Sequence, residues 1–139
     1  NETLPYGAIR LSVVLKPSPF ISNMNEFRSS FTTDLMNVLM IPSTRIKVWT
    51  IRSSVNGGTV VWDFLPSLDE DAIGVWELRN ELRNKQPMDL ERTVYLKYAD
   101  LSTLAVLCND GVYRSNCDGE PQLATSIWSQ YQLPIIITL

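Results

Sequence analysis

The chain has 139 residues, of which 45% are hydrophobic, and this is enough for one domain with a sizeable core. A net charge of −3 with only 12 Lys and Arg lacks the basic surplus typical of proteins that bind nucleic acid or anionic membranes. Histidine is absent, which removes the commonest general base and metal ligand, and two cysteines are too few for a structural zinc site. We therefore expect neither a cofactor nor a metal.

The first part of the chain predicts a strand followed by a helix. Near the end of residues 8–15, the side chains that would face either side of a strand are apolar, which is typical of a central strand. Pro17 then stops the strand. Asn23 or Asn25 is expected to cap the helix, which ends before Pro42. The apolar face of this helix consists of Phe27, Phe31, Leu35, Val38 and Leu39.

A β-hairpin is the strongest short-range signal in the chain. Residues 45–52 and 59–65 alternate between the two faces of a strand, and Asn56-Gly57 lies between these runs. Both residue types tolerate the positive φ that a tight turn requires. The sequence therefore predicts the second and third strands as an antiparallel pair.

A second helix and a fourth strand are predicted after the hairpin. Ser67 and Glu70 have the spacing of a capping box at the start of this helix, and Pro87 marks its end. The apolar stripe of the helix consists of Val75, Leu78 and Leu82. Residues 92–98 alternate again and predict the fourth strand.

This order of elements predicts an α+β fold, a ferredoxin-like βαββαβ sandwich whose antiparallel sheet carries two helices on one face. The core elements lie at 8–98 within a unit that spans 1–98. Residues 99–139 are expected to form an extension of the same domain, with a short hairpin of 104–108 and 111–114.

The two cysteines, Cys108 and Cys117, are predicted to form a disulfide that closes a loop in this extension. The alternative is a redox or nucleophilic thiol, but the spacing is not CxxC and no histidine is present to activate it. A disulfide favours an extracellular location. In a secreted protein, Asn1-Glu2-Thr3 is also a sequon for glycosylation at Asn1.

Two acidic clusters have structural explanations. Asp69, Glu70 and Asp71 suit the positive end of a helix dipole, and successive helical residues point apart, so that they do not converge on a metal or a substrate. The turn around Asp110, together with Asp118, lacks the regular oxygen ligands and final Glu of a calcium loop. We predict a capped helix and a turn.

The tryptophans have two interpretations. Packing within the sheet and the core explains them, because two lie on paired strands. The alternative is a surface on which sugars stack. The four residues concerned are Trp49, Trp62, Trp76 and Trp128.

The run 133–139 combines high β-propensity with no charge and is the best interaction candidate in the chain. Its apolar residues are Leu133, Ile135, Ile136, Ile137 and Leu139. It is expected to pair inside its own domain. The alternative is addition to the sheet of a neighbouring subunit, which would supply hydrogen bonds between modules.

The order of elements over 8–98, with Gly58-Thr59-Val60-Val61-Trp62 opening the third strand, resembles the SEA domain. The resemblance implies an extracellular ferredoxin-like module of mucin-like, adhesive and heavily glycosylated surface proteins. Many SEA domains carry Gly-Ser and three valines at this turn. Folding strains the Gly-Ser peptide, the serine hydroxyl attacks the preceding carbonyl, and the resulting ester hydrolyses. Here Thr59 replaces that serine and Trp62 replaces the last valine, so we expect an intact bond.

The sequence as a whole favours a non-catalytic extracellular structural or interaction module of a cell-surface, matrix or filament protein. Its expected partners are proteins, including copies of itself or adjacent modules, and glycans, whereas nucleic acid and membrane insertion are not expected. One alternative is a filament subunit that donates the strand 133–139 to its neighbour. Another is a self-cleaving domain that is cut once at Gly58–Thr59.

Overall fold

Five strands form one antiparallel sheet in the computed structural model, which describes residues 3–55 and 57–121. In chain order the elements are β1 (Ile9–Leu15), α1 (Met24–Leu39), β2 (Ile46–Ser54), β3 (Gly57–Phe64), α2 (Val75–Arg83), α3 (Pro87–Leu90), β4 (Ala99–Leu107) and β5 (Tyr113–Arg114). Short 3-10 turns at Ser43–Arg45 and Leu96–Tyr98 precede β2 and β4. The strand order in the sheet is β2-β3-β1-β4-β5. The predicted α+β class is confirmed, and the arrangement is compatible with a ferredoxin-like one.

One hydrophobic core lies between the sheet and the helices. Alternate residues of β1 and β3 point into it, because successive side chains of a strand face opposite sides. Phe31 from α1 packs against Trp62 of β3, with ring centroids 5.5 Å apart. The fully buried large side chains include Leu11, Leu15, Phe27, Phe31, Leu35, Trp62, Phe64, Leu78 and Leu82.

Helix α1 confirms its predicted cap and its predicted apolar face. The Asn23 side chain accepts hydrogen bonds from the amides of Asn25 (3.0 Å) and Glu26 (3.2 Å), which satisfies two of the free donors at a helix start. The helix ends at Leu39, and its C-cap residue Met40 has a left-handed φ of 57°. Of the five predicted apolar residues, Phe27, Phe31, Leu35 and Leu39 are buried, and Val38 is half-buried against the core.

The predicted fourth strand at 92–98 is wrong, because a buried carboxylate captures its backbone. Asp34 on α1 accepts hydrogen bonds from the amides of Val94 (3.0 Å), Tyr95 (2.8 Å) and Leu96 (3.1 Å). Amides bound to a side chain cannot join a strand ladder, so this stretch forms loops and a 3-10 turn. Val94 is exposed, whereas Leu96 is buried in the core.

The fourth strand of the sheet is instead β4, which lies in the stretch predicted as an extension. It pairs with β1 through Leu11↔Val106 and Ser12↔Ala105. The short hairpin predicted at 104–108 and 111–114 is present, because Leu107 at the end of β4 pairs with Tyr113 of β5. The turn between them is closed by a hydrogen bond from the amide of Gly111 to the carbonyl of Cys108.

The predicted capping box at the start of the second helix is also wrong. Helix α2 begins at Val75, and its N-cap is Gly74. The Ser67 hydroxyl accepts from the amide of Asp69, and the Asp69 carboxylate accepts from the amide of Asp71. These local bonds form turns ahead of the helix, since short polar side chains compete with helical hydrogen bonding.

Candidate functional site

The face of the sheet opposite the helices carries the polar residues of the strands and is called the outer face below. Strand pairing places its side chains in rows. One row runs Lys47–Asp63–Arg10, and a second runs Thr50–Val61–Ser12. A third row places Arg52 beside Thr59. A groove of about 760 Å³ lies along this face, lined by Arg10, Ser12, Trp49, Thr50, Arg52, Thr59, Val61, Leu107 and Tyr113.

A buried ion pair lies at one end of the groove. The Arg10 guanidinium donates to both carboxylate oxygens of Asp63, at 2.7 Å (Nε to Oδ1) and 3.0 Å (Nη2 to Oδ2). Asp63 is fully buried and Arg10 is 8% exposed. A two-point contact of this kind fixes both side chains, because the planar guanidinium matches the carboxylate geometry.

Trp49 is held at the groove by cations and by an irregularity in β2. The register of β2 against β3 shifts between Val48 and Thr50, and the Trp49 carbonyl accepts a hydrogen bond from Arg28 Nε at 2.8 Å. The Arg10 guanidinium carbon lies 5.1 Å from the centroid of the Trp49 ring, and Lys47 Nζ lies 4.5 Å from it. Cations over an indole ring are attracted by its quadrupole, so the ring is held in place.

Tyr113 of β5 lies at the far side of the groove and is 39% exposed. Burial raises the pKa of its phenol above the ordinary value; the charge of Arg10 lowers this pKa, and the charge of Asp63 raises it. The net shift is upward, so the phenol stays neutral at physiological pH. A neutral phenol offers an aromatic ring together with a hydroxyl that donates and accepts hydrogen bonds.

The Gly58–Thr59 bond lies at the start of β3, with Thr59 on the outer face. Gly58 pairs with Leu15 of β1 on one side and with Ser53 of β2 on the other. The positive φ, 126°, belongs to Gly57 rather than to Gly58. Asn56 of the predicted turn lies outside the described residues.

The predicted disulfide between Cys108 and Cys117 is confirmed. The loop that it closes is attached to α2, because Arg79 donates to the carbonyl of Ser115 at 3.2 Å and forms an ion pair with Glu120. Burial raises the pKa of Glu120, but hydrogen bonds from Arg79 and from the amide of Cys117 outweigh this and hold the pKa below its usual value. Arg79 is 2% exposed, and nothing in its local sequence signals this contact.

Reduction of the disulfide is expected to lower the free energy of unfolding by about 2.5–3 kcal/mol, the chain-entropy value for a loop of about ten residues. Urea unfolding with and without dithiothreitol measures the difference. A Cys108→Ser/Cys117→Ser variant is the control, since its unfolding midpoint should not respond to the reductant. Equal midpoints for the oxidised and reduced native protein would contradict the stabilising role.

The other predicted candidates are dispersed. Trp62 is buried in the core, Trp76 is half-buried on α2, and Asp69, Glu70 and Asp71 are exposed ahead of that helix. The Asp110 carboxylate accepts from Arg114 and from the amide of Val112, as expected for a turn. Within 3–55 and 57–121, no group of three His, Cys, Asp or Glu side chains is placed to hold a metal ion. None of the helices in these ranges has the length and hydropathy of a membrane-spanning segment.

Several predicted sites lie outside the described residues. They are Asn1, Trp128 and the apolar residues of the terminal run, Leu133, Ile135, Ile136, Ile137 and Leu139. No motif in the sequence marks Arg10, Asp63 or Arg52 as site residues. Arg10 and Asp63 do, however, alternate with the apolar residues of two predicted strands, which indicates that they lie on the polar face of the sheet.

Comparison of the chain with protein-family models, with curated proteins and with solved structures found no match in any of the three.

Proposed function

We propose that the chain is a non-catalytic extracellular module, SEA-like in its arrangement, with a structural or interaction role in a cell-surface, matrix or filament protein. The observation that carries the proposal is the Cys108–Cys117 disulfide at the end of an α+β sandwich. Disulfides persist in oxidising compartments and are rare in reducing ones. Apart from the short helix α3, the elements follow the order β1-α1-β2-β3-α2-β4, and β3 and β1 lie inside the sheet, which supports the ferredoxin-like arrangement that the resemblance implies.

The compartment can be tested by expressing the chain behind a secretory leader in animal cells. We expect the secreted protein to have no thiol that reacts with an alkylating reagent before reduction and two that react after it. We also expect a glycan at Asn1, which a glycosidase removes with a loss of mass. Secreted, folded protein with two free thiols would contradict the proposal.

The Gly58–Thr59 bond is expected to remain intact. Strand pairing on both sides of Gly58 supports this, because a peptide held in two ladders keeps an extended geometry away from the strained turn that the SEA reaction requires. Denaturing mass spectrometry of the purified protein should show a single chain of 15.8 kDa plus any glycan. Two fragments that meet at this bond would instead establish self-cleavage, and Thr59→Ala should then restore one chain.

A filament subunit that donates 133–139 is a second candidate, and the sheet edge favours it. Strand β2 is the last strand on its side of the sheet and is nine residues long. Within the described residues, no strand pairs with the free edge of β2. A long open edge of this kind can accept an added strand.

Removal of 133–139 separates the two candidates. A self-contained module should remain monomeric by light scattering and lose stability, because it loses a strand of its own sheet. A strand donor should form oligomers as the full chain and become a folded monomer after the truncation. The truncated protein should in that case recover assembly when a synthetic peptide of the removed sequence is added.

A further inference from the structure

We propose that the groove on the outer face binds an acidic saccharide, a sugar chain that carries carboxylate or sulfate groups. This inference names a ligand class for the proposed interaction module and rests on that proposal. The groove, at about 760 Å³, is within the range of about 300–1,000 Å³ typical of ligand sites.

The charge of the outer face is opposite in sign to that of the protein. Arg10 is neutralised by Asp63, but Lys47 and Arg52 have no carboxylate partner among the described residues. Both side chains are exposed. In a chain of net charge −3, this surface is a local cationic site, and complementary potentials favour an anionic ligand.

Arg52 is the residue best placed to bind an acidic group. It lies beside Thr59 in the strand register, so a guanidinium and a hydroxyl face the same part of the groove. A guanidinium binds a carboxylate or a sulfate through two parallel hydrogen bonds, and this geometry gives direction as well as charge.

The remaining lining suits a sugar better than an aliphatic acid. The hydroxyls of Ser12, Thr50 and Thr59 lie in adjacent rows. Those of Ser12 and Thr59 can donate to and accept from sugar hydroxyls, and that of Thr50, which donates to the carbonyl of Ile51 at 3.4 Å, can accept from them. Tyr113 adds a partly exposed aromatic ring, against which the C–H face of a pyranose can pack. Trp49 contributes as a fixed wall, since cations already lie over its ring.

Two other occupants fit the groove less well. Residues 122–139 contain no charged side chain, so this segment cannot compensate Lys47 and Arg52. An acidic peptide would compensate the positive charges of Lys47 and Arg52. It carries fewer hydroxyl groups than a sugar, however, so it would form fewer hydrogen bonds with the serine and threonine hydroxyls of the groove. The experiment below distinguishes the peptide from the saccharide.

Isothermal titration calorimetry of the full chain with size-defined probes tests the proposal. The probes are a heparin hexasaccharide, a hyaluronan hexasaccharide, neutral maltohexaose and acetylated hexaglutamate. We expect at least one acidic hexasaccharide to bind, with an affinity that falls as salt rises, and maltohexaose to bind at least 10-fold more weakly. Backbone amide shifts measured by NMR should change at Ser12, Thr59 and Tyr113.

Matched variants locate the site. Arg52→Ala should weaken the binding of the acidic hexasaccharide about 10- to 100-fold, the effect of one lost hydrogen bond to a charged group. Lys47 lies over the Trp49 ring but does not line the groove, so Lys47→Ala should weaken binding less than Arg52→Ala does. Arg92→Ala is the control, because Arg92 is equally exposed but lines a different concavity, beside α1. Circular dichroism checks that each variant is folded.

Three results would overturn the proposal. They are the absence of binding for both acidic hexasaccharides, an equal loss of affinity in Arg92→Ala and Arg52→Ala, and hexaglutamate that binds as tightly as the saccharides. None of these measurements depends on secretion or on the thiols. A failure here would therefore leave the test of the proposed extracellular module standing by itself.

Discussion

Asp63→Ala is expected to lower the free energy of unfolding by about 3–5 kcal/mol, because it breaks a buried ion pair by removing one of its two partners. Both partners are almost inaccessible to water, and the carboxylate receives two hydrogen bonds from the guanidinium. Water can therefore replace only part of the lost contact. Urea denaturation followed by tryptophan fluorescence measures the change.

The double variant Arg10→Met/Asp63→Leu separates the cost of breaking the pair from the value of the pair. Replacing a whole buried pair by apolar side chains is often neutral, so most of the lost stability should return. Asp110→Ala is the matched control, since this carboxylate pairs with Arg114 at the surface and its removal should hardly move the midpoint. A double variant as unstable as Asp63→Ala would show that the pair itself stabilises the fold.

Gly57→Ala is expected to cost at least about 3 kcal/mol, because it combines an unfavourable backbone conformation with a steric clash. Gly57 has a φ of 126°, which side-chain-bearing residues rarely adopt. An added Cβ would also lie 2.3 Å from the carbonyl oxygen of Leu15, and backbone of a central strand cannot easily move. Thermal and urea unfolding both report the effect.

Two further glycines separate these contributions. Gly111 has a φ of 82° but no atom within 4 Å of an added Cβ, so Gly111→Ala should show only the conformational cost, about 1–2 kcal/mol. Gly58 has no positive φ, so Gly58→Ala tests the steric contribution without the conformational one. An added Cβ there would meet the ends of the Ile51 and Ser18 side chains, which can shift. If Gly57→Ala is no more destabilising than Gly111→Ala, an added Cβ at Gly57 does not clash with Leu15.

The parts of the fold that depend on neighbours in the sequence were predictable. The apolar face of α1 follows from helical spacing, and its cap at Asn23 needs only the first helical turn. Strands β2 and β3 are adjacent in the chain, so their pairing requires one tight turn rather than a distant partner. The disulfide joins the only two cysteines of the chain.

The two wrong predictions have the same physical cause: side chains compete with the predicted strand or helix for the backbone amides. The competing side chain is distant in one case and local in the other. Residues 92–98 and 99–107 both have strand-like composition, and Asp34, some 60 positions away from 94–96 along the chain, decides between them by binding three amides of the first stretch. The position of a buried carboxylate that is remote in sequence is not encoded in the local pattern. Ser67 similarly forms a local turn instead of a cap.

By itself, the sequence determined the α+β class, the first helix, the central hairpin and the disulfide, because short-range spacing and composition specify them. The tertiary structure alone decided which stretch completes the sheet and where the charges lie. The outer face of this acidic chain is locally cationic because β-pairing places Arg10 beside Asp63, 53 positions away, so that the two charges neutralise each other, while Lys47 and Arg52 remain exposed on the same face. Net charge is a sum over residues, whereas a binding surface depends on which of them the strand register places side by side.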